Sequence, residues 1–81
     1  MSWNHRVIVR FESNGTPYFE IHECYYEDQN REIPTSWTEN AIPVHGDNID
    51  ELKETLERML RACNTPILIE TSDDIIEEWK P

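Results

Sequence analysis

GDNIDELKETLERMLRACNTP, residues 46–66, is the stretch whose start, face and stop can all be read from its residues. Ile49, Leu52, Leu56, Met59, Leu60 and Cys63 recur at offsets of three and four, which puts them on one stripe of a 3.6-residue helix. Asp47 or Asn48 is placed to accept from the orphan amides of the first turn. With Asn48 as the cap, Glu51 falls at the third helical position, as in a capping box. Asp50 and Glu51 lie near the positive end of the helix dipole, and Arg58 and Arg61 near the negative end. Glu54 with Arg58, and Glu57 with Arg61, add favourable pairs on the wet face. Asn64 suits a left-handed cap, and Pro66 blocks continuation. The pattern predicts a helix over about residues 48–63, its stripe buried against whatever the rest of the chain supplies.

What precedes it reads as strands. His5 to Glu12 alternates, with Val7, Val9 and Phe11 on one side and Arg6, Ile8 and Arg10 on the other, a period-2 strand with one mostly buried face. Asn14-Gly15 suits the positive φ of a hairpin turn. Pro17 to Asp28, rich in aromatic and β-branched residues, is the return strand. Its faces conflict: Phe19 and Ile21 share one side, yet alternation then brings Glu23 there, opposite Tyr18, His22, Cys24 and Tyr26. A bulge near His22 or Glu23 would repair the pattern. Asp28 to Arg31 is a polar turn, and Ile33 to Val44 holds a short third strand around Trp37, limited by Pro34 and Pro43. After the helix, Pro66 to Glu70 reads as a fourth strand or extended return. Residues 71–81 form an acidic segment, either a short helix capped by Thr71 or Ser72 or a mobile tail.

The fold expected is therefore α+β, a small antiparallel sheet in β-β-β-α-β order covered on one face by a single amphipathic helix. At 81 residues the chain is one domain with one small core. The passage PVHGDNIDELKETLERML, where Gly46, Asp47, Glu51 and Leu52 form the turn from strand into helix, resembles the HicB-like antitoxin fold over about thirty residues. The pieces WNHRVIV, YFEIHECYYED and SWTENAIPV, spanning most of residues 3–68, also look like a family of small bacterial and phage proteins. That resemblance implies no activity.

Seven Lys and Arg against 17 Asp and Glu give a formal net charge of −10. This opposes direct binding to nucleic acid or an anionic membrane, since phosphate would be repelled. It permits simple solvation, a basic protein partner, or mimicry of nucleic-acid charge. Cys24 and Cys63 are far apart with no CxxC spacing, so both are expected as buried free thiols. The N-terminus lacks an apolar run with a small-residue cleavage site, and no run is long enough to span a bilayer, so the expected setting is cytoplasmic.

Little in the chain points to catalysis. His22 and Cys24 share a strand face, and His5 and His45 are further nitrogen donors, but nothing in their spacing converges three or four ligands as zinc requires. Adjacent acids are unavoidable with 17 of them, and no spacing orders two around a scissile bond. A Cys24–His22 dyad lacks an orienting third group, and two glycines make no phosphate-binding loop. The chain is read as non-enzymatic, with no cofactor and no metal.

The helix covers one face of the sheet, and aromatic residues fall on both. Trp3, Tyr25, Tyr26 and Trp37 therefore form either an interface patch or the caps of a thin core. The functional expectation is a protein-binding module, a small inhibitor or antitoxin-like regulator. It would bind through Trp37 and Tyr26, with Tyr25 and Trp3, ringed by Glu20, Glu23 and Glu39. Its partner would be another protein with a basic surface, and a homodimer is compatible with the sequence. The alternatives are an acidic nucleic-acid mimic that inhibits a nucleic-acid-binding protein, and a small metal- or thiol-dependent enzyme.

Overall fold

Ser2–Phe11 (β1) and Pro17–Tyr26 (β2) form an antiparallel hairpin, paired from Ser2 opposite Tyr26 to Phe11 opposite Pro17. The computed structural model of the protein describes residues 2–27, 32–73 and 75–81. Gly15 takes φ +89° at the turn, as the Asn-Gly pair predicts. The Asn14 side chain accepts from the Thr16 amide at 2.9 Å. The pairing carries no register shift, so the expected bulge near His22 is absent. Glu23 simply stays on the same side as Phe19 and Ile21. The polar turn expected over residues 28–31 lies outside the described residues.

The third strand is short, Ser36–Trp37 (β3), but the chain follows β2 well beyond it. Thr35, Thr38 and Ile42 donate backbone N–H groups to the carbonyls of Tyr25, Glu23 and Ile21 at 2.8, 3.0 and 2.8 Å. Ile49–Cys63 (α1) then returns the chain, and Leu68–Ser72 (β4) lies parallel to β1, Ile8 beside Leu68. The sheet is thus mixed rather than wholly antiparallel, because the helix carries the chain back before β4 is laid down. Residues 71–81 are not a short helix or a tail: Ile75–Glu78 (β5) pairs antiparallel with β4 across a register shift between Glu70 and Ser72. The Trp79 amide donates to the Ile67 carbonyl at 2.7 Å, fixing that edge. The order across the sheet is β3-β2-β1-β4-β5, an α+β fold with one helix among the described residues.

Asn48 caps α1, its side chain accepting from the Glu51 amide at 2.9 Å, while the Glu51 carboxylate reaches back to the Asp47 amide at 3.2 Å. Gly46 is required by contact: a Cβ there would collide with the backbone nitrogen of Leu52. Asn64 ends the helix at φ −100°, not in the left-handed region, and its side chain donates to the Leu60 carbonyl.

The helix packs on the β1 face that carries His5, Val7 and Val9, for Trp3, His5, Arg58, Arg61 and Ala62 line one cavity. Its buried residues are Met59 and Ala62. The expected stripe is therefore misplaced by part of a turn. Ile49, Leu56 and Leu60 are 75%, 48% and 65% exposed, and Cys63 is exposed too. The helix rests on one margin of its apolar arc and turns the rest outward.

The opposite sheet face holds a second core, contrary to the expectation of a single buried face. Ile8, Cys24, Tyr26, Leu68 and Ile76 cluster there, with Ile33 and Trp37 packed against them. Burial pushes the Cys24 thiol up to about 11, against the lowering charge of Arg6. Arg6 is itself buried in this layer, donating to Tyr26 Oη at 2.9 Å, Glu32 O at 3.0 Å and Pro66 O at 2.8 Å. The two cysteines are unpaired. No helix among the described residues is long and apolar enough to cross a membrane.

Candidate functional site

Residues of even number in β1 and β2 share the face away from the helix: Arg6, Ile8 and Arg10 stand beside His22, Glu20 and Tyr18. Trp37 joins this face opposite Cys24, and Glu70 joins it from β4. In a flat sheet β3 and β4 would lie three spacings of about 4.8 Å apart, roughly 14 Å. Yet the Trp37 indole N–H donates to Glu70 Oε1 at 3.1 Å. The two long side chains reach toward each other over β2 and β1, and the cavity they help to line makes this the concave side.

Arg10 is the centre of the polar part. Its guanidinium meets Glu70 Oε1 at 2.7 Å and Glu20 Oε1 at 3.5 Å. Burial pushes the Glu70 carboxyl up, but the hydrogen bonds from Arg10 and Trp37, with the charges of Arg10 and His22, outweigh it and hold the group below its usual range. His22 is fully buried behind this pair. Its Nδ1 lies 2.9 Å from the Thr38 carbonyl and 3.2 Å from the Thr38 hydroxyl, and its Nε2 lies 3.0 Å from Glu20 Oε1. A ring with its proton on Nε2 donates to Glu20 and accepts from the Thr38 hydroxyl at Nδ1, and one with its proton on Nδ1 donates to the Thr38 carbonyl. The network fixes Glu20, Glu70 and Trp37 with little rotamer freedom.

Above it opens a cavity of about 550 Å³ lined by Arg10, Thr35, Ser36, Trp37, Glu39, Glu70 and Asp73. Trp37 forms part of its wall, half-buried with its ring against the core. Glu39 and Asp73 are exposed at its rim and have no ion pair among the described residues.

The expected interface residues do not form one patch. Trp37, Glu20 and Glu39 belong to the concave side. Tyr26 is on that side but only 1% exposed, so it is a core residue and not an anchor. Trp3, Glu23 and Tyr25 point the other way, toward the helix face. Tyr25 donates to Glu23 at 2.7 Å, and that bond, with burial and the negative charges of Glu23 and Cys24 behind it, raises the phenol above its ordinary value. Trp3 stands edge-on to His5 with ring centres 5.5 Å apart. Burial lowers the His5 pKa, opposed by Glu23 and assisted by Arg58.

Sequence reading missed Arg10, His22, Glu70 and Asp73 at this site. The alternation of β1 did place Arg10 with Arg6 and Ile8, but nothing local revealed that this side is concave. His22 and Cys24 do share a face, whereas His5 lies on the other and His45 is exposed. Among the described residues no group of three or more His, Cys, Asp or Glu converges on a metal position. Comparison with family models, with curated proteins and with solved structures returns no match to this chain.

Proposed function

We propose that this protein is a non-enzymatic binding module, a small inhibitor or antitoxin-like regulator, whose concave groove receives a basic side chain of a partner protein. The observation that carries this reading is Trp37 sharing one cavity with Glu39, Glu70 and Asp73. Arg10 does not oppose a cation there, because its charge is spent on Glu20 and Glu70. A Lys or Arg laid against the Trp37 ring gains about 0.5–2 kcal/mol from the cation–π contact, rising with desolvation. Glu39 and Asp73 offer it carboxylates at the rim. The net charge of −10 adds long-range attraction for any basic surface, and that part fades with salt.

The test is titration of an arginine-rich peptide against the protein, with a peptide of the same length carrying glutamine in place of arginine as control. Binding of the basic peptide alone is expected, weakened by Glu39→Lys and Asp73→Lys, which sit at an exposed rim and leave the core intact. Trp37→Phe keeps an aromatic wall while removing the bond to Glu70, and should weaken binding without unfolding the chain. Equal binding of both peptides, or binding indifferent to the two charge reversals, would remove the groove from consideration.

A further inference from the structure

The outward part of the helix is an apolar feature that neither core uses. Ile49, Leu56, Leu60 and Cys63 run along α1 at offsets of seven, four and three, exposed over the whole 15-residue length. Leu52, half-buried, borders them. A continuous apolar strip of this kind on an otherwise highly charged chain calls for a cover.

We infer that the cover is a second copy of this chain, docked helix to helix in antiparallel orientation about a two-fold axis at Leu56. The strip is self-complementary about that residue. Turning one helix end for end brings Ile49 opposite Cys63, Leu52 opposite Leu60, and Leu56 opposite itself. The charges agree with the same orientation. The first turn carries Asp50 and Glu51 and the last turn carries Arg61, so antiparallel docking sets the acidic end of each helix beside the basic end of the other. A parallel pair would place like ends together. Lys53, on the flank of the strip, then falls alongside Glu57 of the second copy.

The helix lies on the sheet face opposite the Trp37 groove, so the dimer would leave both grooves open. Two grooves in one particle would hold a partner with two basic segments more tightly than either groove alone. A footprint one helix long is at the small end of specific interfaces, so association should depend on protein concentration in the micromolar range. Each copy carries −10, and added salt screens their mutual repulsion. Dimerisation should therefore strengthen with salt, the opposite of the dependence expected for a basic partner in the groove.

Sedimentation equilibrium across protein concentration and salt reads this directly. The expected result is a mass rising from one chain to two with concentration, shifted to lower concentration by salt. Leu56→Glu and Leu60→Glu replace outward residues, so both should fold as the wild type does by circular dichroism and remain monomeric throughout. Orientation is read by mild oxidation. Ile49→Cys should form a covalent dimer with the native Cys63 of the second copy, while the wild type, whose Cys63 residues lie at opposite ends, should not. A single-chain mass at every concentration overturns the proposal. So does efficient Cys63–Cys63 cross-linking of the wild type, which would mean a parallel pair. A wild-type chain that stays monomeric, yet loses capture of a basic peptide on Leu60→Glu substitution, would assign the strip to a different protein.

Discussion

Tyr26→Phe isolates the assignment of that residue to the core, because it deletes one oxygen and keeps the ring. The hydroxyl accepts from Arg6 Nη1 at 2.9 Å and donates to Asn4 Oδ1 at 2.8 Å. Asn4 is exposed, so water can replace its lost partner at little cost. Arg6 is 2% exposed, and its Nε already lacks a partner among the described residues. Its other contacts, to the Glu32 and Pro66 carbonyls, remain. One N–H of a buried guanidinium would thus be stranded. A bond to a charged group contributes about 1.5–3 kcal/mol, and a buried donor left without an acceptor forfeits most of that. The expected loss is about 2 kcal/mol. For a domain of this size total stability is on the order of 4–12 kcal/mol, so the loss is a large share of it. It should lower Tm by about 8–16 °C. Thermal and urea unfolding followed by circular dichroism would measure it, and the Arg6→Met, Tyr26→Phe double mutant should show coupling of about 0.5–3 kcal/mol between the two sites. A Tm unchanged within about 1 °C would refute the reasoning, since the hydroxyl would then be in water and Tyr26 would return to the surface as a candidate anchor.

The two margins of the helix should behave differently: Met59→Ala, on the buried side, is expected to cost about 2–5 kcal/mol, and Leu56→Ala, half exposed in the monomer, well under that in dilute protein. Equal costs by urea denaturation would mean the helix is rotated from the orientation described. Gly46→Ala should lower Tm by displacing the loop from the first turn of α1, because the added methyl meets Leu52 backbone atoms that cannot yield cheaply. Stability should also fall in acid through two groups acting at different pH. The lowered His5 pKa favours folding while the unfolded histidine is neutral, so that contribution is present above about 6.5 and lost as pH falls below it. The lowered Glu70 pKa gives a contribution present above 4.5 and lost as pH falls through it. His5→Phe should flatten the first step in a Tm-against-pH curve, and Glu70→Gln the second.

The helix was the most legible part of the chain because its information is local. Asn48, Glu51 and the spacing of the leucines name the start and the period, and the capping contacts form as those residues imply. The Asn14-Gly15 turn is legible for the same reason, since a positive φ restricts the residue that can adopt it. What the helix rests on is not local. Periodicity marks an apolar arc, and that arc is wider than the contact β1 provides. Met59 and Ala62 were taken inward while Ile49, Leu56 and Leu60 were left out. The parallel placement of β4 beside β1, and the strand at Ile75–Glu78, depend on where the crossover delivers the chain. Thr71 and Ser72 fit a helix cap as well as a strand end, so their identity alone does not decide.

The site was half legible for a reason that the two faces of β1 make plain. Alternation in β1 assigns Arg6, Ile8 and Arg10 to one side, and two arginines suggested water there. Both are instead consumed by acceptors: Arg6 by carbonyls and a phenol, Arg10 by two carboxylates. An arginine whose donors are satisfied is compatible with a buried layer, and only long-range partners such as Pro66 and Glu70, sixty residues away, supply that satisfaction. This is also why Trp37 and Tyr26, grouped together by the sequence reading, differ so much in exposure. Both lie on the concave side, but Tyr26, opposite Ser2, has its hydroxyl covered by the Arg6 guanidinium, whereas Trp37 stands on the two-residue outer strand and lines the cavity. The bond to Glu70 holds the indole over this face and makes an edge tryptophan the wall of a groove. Depth along the concave face, set by strand position and not by residue type, separates the core aromatic from the one that lines the cavity.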